Sequence, residues 1–292
     1  MKYQRTTERP LDKAMRERLH LRSGSTIVLK LIRGLIHTSD TVSRTLFGHP
    51  LIALRESEAL FDQVDGLKGQ ALVNALLARD GGTTITAHGL QNIPATGPVI
   101  IASTHPTGIF DFPAHAGALL EKRPDMKVVA NQETEKFLGA ENIIPVTINK
   151  QNRAVSGKQT RQAMLNHLAN DGAVLIFGSG RVPDSKQGQL VEPAWRNGST
   201  LVSLASQAPI VPATLDARNS RAYYRIRAVA RFLSGGNDHF GAMVASLRYT
   251  AELIEKLGGR YDVHYGKLLP PGADPATLKQ AAESLVPGQY QA

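Results

Sequence analysis

The amino-acid sequence predicts an α/β fold, in which a mostly parallel sheet is flanked by helices and preceded by an N-terminal helical extension. From residue 84 onward, short apolar runs with the composition of buried strands alternate with segments of helical periodicity. This alternation is typical of a parallel sheet. The predicted strands include VIIAS at 99–103, AVLIF at 173–177 and PIVPATL at 209–215, and the helical patterns lie at 112–122, 158–171 and 197–207.

Three regions follow from these patterns. Residues 1–80 are predicted to form the helical extension, residues 81–270 the α/β domain, and residues 271–292 a peripheral C-terminal tail rich in Pro, Gly and Ala. With 292 residues, of which 42% are hydrophobic, the chain is long enough for one large α/β domain with such an extension.

Within the extension, the segment from Ser25 to His37 is predicted to be an amphipathic helix. At helical spacing, apolar residues share one face: Val28, Leu31, Ile32 and Leu35. Basic residues share another: Lys30, Arg33 and His37. A basic amphipathic helix can lie in a membrane interface. Equally, the apolar stripe could pack on the main domain and leave the cationic face in water.

Composition and charge exclude several classes of protein. Because the chain has no cysteine, it can have neither a disulfide framework nor a thiol nucleophile nor a zinc site of thiolates. The net charge of +9 favours anionic partners such as lipid headgroups or an acidic carrier protein. Nucleic acid is not expected, since aromatic residues are only 5% and no nucleic-acid-binding motif is present. No segment approaches the roughly 20 apolar residues that span a bilayer.

The stretch VIIASTHPTGIFD, residues 99–111, contains the strongest candidate for catalysis. A buried strand leads to His105 at its carboxyl end, where open α/β sheets bind their ligands. If the following loop turns at Gly108, Asp111 can bind one imidazole nitrogen, and the other nitrogen is free to accept a proton. This is a base with its orienting carboxylate but without a protein nucleophile. The same pattern also fits a structural histidine with a nearby capping aspartate.

The region ITAHGLQNIPATGPVIIASTHPTGIFD resembles the opening of the glycerolipid (lysophosphatidic-acid-type) acyltransferase superfamily. Five residues separate His105 from Asp111, as in the branch related to ornithine-lipid acyltransferases and hemolysin-like proteins, and Thr104 replaces the usual Asn. Three further stretches keep the family's order, and the resemblance covers roughly residues 83–225: VVANQETEKFLGAENIIPVTIN, AVLIFGSGRVPD and APIVPATLDARNS.

The segment FGSGRVPD departs most from the family. The resemblance places the family's acceptor-binding Glu at Ser179 and its Arg near Arg181. Gly178, Ser179 and Gly180 are predicted to expose backbone N–H groups that bind an anion, with Arg181 as a clamp. A glycine-rich turn with a solvated arginine is the structural alternative. Without the Glu, lysophosphatidic acid is predicted to be a poorer acceptor than an amino-acid-headed or hydroxylated lipid.

Other residues complete the predicted site. Thr107 and Gly108 are assigned to substrate binding, because backbone donors near Gly108 or Gly180 would stabilise an oxyanion. Arg218 and Asn219 are assigned to the same role, either bracing the floor of the site or contacting substrate.

Two further residues have ordinary structural interpretations beside functional ones. His115 would form a metal triad with His105 and Asp111, although a histidine packed on a helix face is the more common arrangement. Trp195 is interpreted as an anchor for a loop rather than as a residue that stacks on substrate.

The resemblance implies an acyltransferase that moves a fatty acyl group from acyl-ACP or acyl-CoA to a hydroxyl or amine of a lysolipid, as in phospholipid biosynthesis. No metal or redox cofactor is expected. We expect a cytoplasmic protein, peripheral on the inner face of the membrane, with an anionic membrane surface as a partner. Two alternatives remain: a metal-dependent hydrolase that uses His105, Asp111 and His115, and a non-catalytic relative that only binds lipid surfaces.

Overall fold

The computed structural model describes residues 12, 15–16, 21–22, 26–131, 134, 138–146 and 157–291. It divides into two compact units. The sheet unit comprises residues Gly66–Arg218 and Leu257–Ala292, and the helical unit comprises the residues up to Asp65 together with Asn219–Lys256. None of the described helices is both long and apolar enough to cross a membrane.

The sheet unit is built around a seven-stranded sheet, which confirms the predicted α/β class. Its strands are β1 (Thr84–His88), β2 (Val99–Ser103), β3 (Lys127–Asn131), β4 (Ile143–Val146), β5 (Ala173–Phe177), β8 (Ile210–Asp216) and β9 (Arg260–Tyr265), in the order β1-β9-β8-β2-β5-β3-β4. All neighbours pair in parallel except β8 and β9, which are antiparallel. A separate antiparallel hairpin consists of β6 (Asp184–Lys186) and β7 (Gln189–Val191).

The described helices of the sheet unit are α3 (Gly69–Leu77), α4 (Asp111–Leu119), α5 (Gly157–Leu168), α6 (Gly198–Ser206) and α10 (Pro275–Glu283). Helices α4, α5 and α6 overlap the three predicted helical segments, and α3 lies in the predicted helical extension. Helix α10 was not predicted. The central strand β2 is fully buried along its length, as a continuous apolar run in a parallel sheet should be. It contributes Ile100 and Ala102 to the main hydrophobic core, which also contains Val174 of β5 and Ile210 of β8.

The C-terminal residues are not peripheral, contrary to the expectation for residues 271–292. Leu278 and Ala282 of α10 are fully buried in the main core. Beyond the helix, the amide of Leu190 donates to the carbonyl of Gln289 and the amide of Gln291 donates to the carbonyl of Leu190, each at 2.8 Å. The final segment therefore pairs with strand β7.

The helical unit consists of α1 (Thr26–Phe47), α2 (Leu54–Gln63), α7 (Arg221–Leu233), α8 (Asp238–Ala245) and α9 (Tyr249–Ile254). The predicted boundary at residue 80 differs from the observed one, since α3 belongs to the sheet unit and residues 219–256 belong to the helical unit. Asp40 of α1 fixes the start of α2, because its carboxylate accepts hydrogen bonds from the amides of Ile52, Ala53 and Leu54.

Helix α1 contains most of the amphipathic segment predicted at Ser25–His37, except that Ser25 lies outside the described residues. Leu29 and Ile36 form its buried face, whereas Leu31 and Leu35 of the predicted stripe are 64% and 69% exposed. Arg33, expected to be a free cation, lies 2.6 Å from Glu58 and also pairs with Asp12. Most of the apolar stripe thus faces solvent, whereas Ile32 packs against the buried face. The basic face is partly neutralised.

Candidate functional site

His105 lies where the sequence places it, just beyond the carboxyl end of strand β2. The strand ends at Ser103, and the amide of Thr104 continues the pairing by donating to Ala213 of β8 at 3.1 Å. His105 Nδ1 is 2.7 Å from Asp111 Oδ2. The side chain of His105 is 20% exposed, whereas that of Asp111 is completely buried. The Nδ1–H bond is not well aligned with the oxygen, a common feature of catalytic pairs without substrate.

The carboxylate of Asp111 is held by its own loop. It accepts hydrogen bonds from the amide of Thr107 at 3.1 Å, from the amide of Gly108 at 3.0 Å, and from the Thr107 hydroxyl. Gly108 has a φ of +82°, a left-handed conformation in which a Cβ would be strained. The turn therefore brings Asp111 back to the histidine, as the spacing of the two residues predicts. The amides of Thr107 and Gly108, which were predicted to bind substrate, donate to the Asp111 carboxylate instead.

Strand β5 supplies the second wall of the site. Its last residue, Phe177, stacks on the His105 ring at a centroid distance of 4.2 Å and an interplanar angle of 24°. The amide of Gly178 then donates to the carbonyl of Ser103 at 2.9 Å. A Cβ on Gly178 would overlap the ring of Trp195, so only glycine permits this close approach. Trp195 is buried and anchors the loop, in agreement with its interpretation from sequence.

Two of the three backbone amides predicted to bind an anion, those of Gly178 and Gly180, have acceptors within the fold. Gly178 donates to Ser103, Gly180 donates to the carbonyl of Phe177 at 3.0 Å, and Arg181 donates to the Ser179 hydroxyl at 3.2 Å. The Gly178 amide is therefore used by strand β2, and the amides of Gly180 and Arg181 have acceptors inside the turn. The predicted anion-binding role therefore stays a prediction for the Ser179 amide and for the exposed side chain of Arg181.

Glu192, which sequence reasoning did not identify, lies next to this turn. It directly follows strand β7 and is only 6% exposed. Its Oε1 accepts a hydrogen bond from Trp195 Nε1 at 3.0 Å. Burial raises the pKa of the Glu192 carboxyl to about 7, against the opposing effects of the nearby Ser179 hydroxyl, Trp195 and His105.

Hydroxyl groups support the loop from the other side. Tyr290 donates to Thr104 Oγ1 at 2.8 Å, and the same oxygen lies 2.6 Å from Thr214 Oγ1 of strand β8. All three side chains are buried. Thr104, which precedes His105 in the chain, is therefore held by strand β8 of the sheet and by the C-terminal segment. A threonine at the family's Asn position thus has a defined structural role.

His115 is held inside the fold by hydrogen-bonding partners on two sides. It is completely buried, its Nε2 lies 2.9 Å from Ser103 Oγ and its Nδ1 lies 3.2 Å from the Tyr265 hydroxyl. Burial lowers the pKa of His115 to about 4, so the ring is neutral near pH 7. Across the described part of the chain, no group of three or more acidic or histidine side chains could hold a metal ion.

Arg218 and Asn219, predicted to bind substrate, make other contacts. Arg218 is exposed and donates to the carbonyl of Gly188, in the turn of the β6–β7 hairpin, at 2.6 Å. Asn219 belongs to the helical unit, where its Oδ1 accepts from Lys256 Nζ at 3.3 Å. Arg218 thus braces the hairpin that precedes Glu192.

Comparisons with known proteins point to one family. A family model described as Acyltransferase matches residues 58–285. Among solved structures, the chain is similar to the 1-acyl-sn-glycerophosphate (LPA) acyltransferase PlsC from Thermotoga maritima, with 14% identity over 88% of this chain and 94% of that chain. The TM-score of 0.44 is too low to establish a common fold. No curated protein sequence matches the chain significantly.

Proposed function

Because the chain belongs to the acyltransferase family, we propose that it transfers a fatty acyl group from acyl-ACP or acyl-CoA to a lysolipid, with His105 as general base and Asp111 as its orienting residue. The observation that carries this proposal is the 2.7 Å approach of His105 Nδ1 to the buried Asp111 carboxylate. With Nδ1 facing Asp111, the other ring nitrogen, Nε2, remains for substrate.

The proposed reaction needs only this pair and the two substrates. Nε2 removes the proton from the acceptor hydroxyl or amine while its oxygen or nitrogen attacks the thioester carbonyl. The tetrahedral intermediate then collapses, the carbon–sulfur bond breaks, and the imidazolium returns the proton to the departing thiolate. Asp111 holds the tautomer and stabilises the imidazolium. General-base catalysis of this kind contributes about 10²–10⁴-fold to the rate.

For the helical unit we propose contact with an anionic membrane surface. Helix α1 carries a row of exposed apolar side chains at helical spacing: Val28, Leu31, Leu35, Val42 and Leu46. A helix with such a face can lie in the lipid interface, and the net charge of +9 favours anionic headgroups. This contact would place the protein at the inner face of the membrane, beside a lysolipid acceptor held in the bilayer.

The test is incubation of the purified protein with acyl-CoA or acyl-ACP and a panel of lysolipids, followed by mass spectrometry of the products. We expect a diacylated product from wild type and none from His105→Ala, with nearly equal melting temperatures because His105 is partly exposed and outside the core. Transfer at the wild-type rate by His105→Ala would disprove the mechanism. Lipid binding without thioester turnover by wild type would instead identify a non-catalytic relative.

A further inference from the structure

The carboxyl group of Glu192 has a buried oxygen that the fold leaves unused. Trp195 binds Oε1, whereas Oε2 is inaccessible to solvent and has no hydrogen-bond partner among the described residues. A buried carboxylate oxygen without a donor is costly, because the group has lost its hydrogen bonds to water. Such groups in native proteins need an explanation, and a functional role is one of them.

The loop that carries Glu192 and Trp195 packs beside the candidate active site. Trp195, which binds Glu192, lies against Gly178, and Gly178 directly follows the residue that stacks on His105. The positive charge of a protonated His105 favours the ionised form of Glu192. The neighbouring Ser179 hydroxyl, which also lies 2.9 Å from the carbonyl of Arg181, favours it too.

We propose that Glu192 is an acceptor-binding residue, whose Oε2 accepts a hydrogen bond from a hydroxyl or ammonium group that the lysolipid carries in addition to its nucleophile. This inference rests on the proposed function, because it takes the lipid bound by Glu192 to be the acceptor of the acyl group. The hairpin β6–β7 thus supplies a carboxylate beside Ser179, where strand β5 itself offers only a hydroxyl.

The proposal distinguishes acceptors by their chemistry. Lyso-ornithine lipid has a free ammonium, and lysophosphatidylglycerol has further hydroxyls, so each can donate to Oε2. At pH 8 the phosphate of lysophosphatidic acid is almost fully ionised, so its nucleophilic hydroxyl is its sole hydrogen-bond donor. Binding of the first two should therefore depend on Glu192, and binding of the third should not.

Short-chain forms of these three lipids, used below their critical micelle concentrations, test the proposal by calorimetry at pH 8. All variants carry His105→Ala, so that binding is measured without turnover. Glu192→Gln keeps the size of the side chain and an oxygen for Trp195, but places an NH₂ group where Oε2 was. It should raise the Kd for lyso-ornithine lipid and lysophosphatidylglycerol by at least about tenfold, the usual effect of losing a hydrogen bond to a charged group. The Kd for lysophosphatidic acid should change less than twofold.

Glu283→Gln is the matched control. It removes another carboxylate whose charge acts on Glu192, but Glu283 pairs with Lys279 on helix α10 at 2.8 Å. Its lipid affinities should equal those of the parent. Equal weakening of all three lipids by Glu192→Gln would assign Glu192 a structural role through Trp195, and would overturn the proposal. Absence of any effect, or absence of lipid binding, would overturn it as well.

Turnover measured in the wild-type background separates this proposal from the proposed function. If Glu192-dependent binding is found but no acyl group is transferred from either donor, acyl transfer fails and the lipid-binding role of Glu192 stands. If transfer occurs and Glu192→Gln leaves the KM of every acceptor unchanged, acyl transfer stands and the role of Glu192 is refuted.

Discussion

In the helical unit, the buried carboxylate of Glu252 is surrounded by donors. It accepts from the amide and hydroxyl of Ser220 at 2.7 and 2.5 Å, from Arg248 Nε at 2.7 Å and from Lys256 Nζ at 3.1 Å. Arg248 and Lys256 are themselves buried, so this cluster is an internal ion network. Glu255 also pairs with Arg248, so two cations face two carboxylates, and no substrate is needed to complete the network.

The buried carboxylate of Glu192 in the sheet unit shows the opposite arrangement. Its hydrogen bond from Trp195 satisfies one oxygen, and the described residues place no cation against it. Both carboxylates are almost inaccessible, yet only one is neutralised by the protein. Burial alone therefore does not mark a functional residue. A buried charge that the fold leaves incompletely paired is a better indicator.

The largest effect of removing a carboxylate is expected on turnover, at Asp111. Asp111→Asn cannot hold His105 in the required tautomer, and should lower kcat by about 10²–10⁴-fold. The control is Asp262→Asn, because Asp262 also lies 2.6 Å from a histidine, His88, but both side chains are about half exposed. Its turnover with acyl-CoA and lysolipid should remain within twofold of wild type. Similar losses in both variants would contradict the assignment of His105 and Asp111.

The next effect concerns stability in the helical unit. Glu252→Ala leaves Arg248 and Lys256 buried without their carboxylate, which should cost about 3–5 kcal/mol in the free energy of unfolding. Glu56→Ala, which removes the partner of the partly exposed Arg44, should cost less than about 1 kcal/mol. Urea denaturation measures both. A loss below 1 kcal/mol for Glu252→Ala would show that the network is not a stabilising element.

Glu192 should instead reduce stability at neutral and higher pH. Its pKa is about 7 in the folded protein, against the ordinary glutamate value of 4.5, so the unfolded chain releases the proton first. The stabilising contribution of the protonated group is therefore present below pH 4.5 and lost as pH rises to about 7. With about 1.4 kcal/mol per pKa unit, Glu192→Gln should gain up to roughly 3 kcal/mol over wild type at pH 8 and nothing at pH 4.5.

Comparison of the two proteins at each pH isolates this effect, because His115 titrates in both and cancels from the difference. Thermal or urea unfolding at pH 4.5, 6 and 8 provides the measurement. A difference in stability that does not vary with pH would mean that Glu192 keeps an ordinary pKa in the folded protein.

The smallest effect on stability is expected on helix α1. Leu31→Ser with Leu35→Ser changes two exposed side chains and should shift the free energy of unfolding by no more than about 0.5 kcal/mol per site. The same double variant should weaken sedimentation with anionic vesicles at least about tenfold, since burial of one leucine contributes about 1.5–3 kcal/mol. Leu204→Ser with Leu268→Ser changes exposed leucines of the sheet unit and is the control. Equal weakening by both pairs would argue against a membrane role for α1.

Local sequence patterns determined much of the sheet unit. Apolar runs such as 99–103 and 173–177 are strands in a mostly parallel sheet, because a central strand buried on both faces must be apolar throughout. His105 and Asp111 could be paired from sequence because they lie on one loop, with a glycine where the chain must turn. Their contact at 2.7 Å depends on residues only six positions apart.

Tertiary structure decided which other residues join them. Glu192 lies in VEPAWRNG with no local pattern that signals burial, and its loop approaches the site because the ring of Trp195 packs on Gly178. Tyr290 reaches Thr104 across 186 positions, although its segment has the composition of a peripheral tail. Likewise, helical periodicity predicts α1 but not which of its faces is buried, since a period of 3.6 residues does not specify what packs against the helix. Contacts within a loop or strand are encoded in neighbouring residues, whereas contacts between distant segments depend on how the whole chain packs.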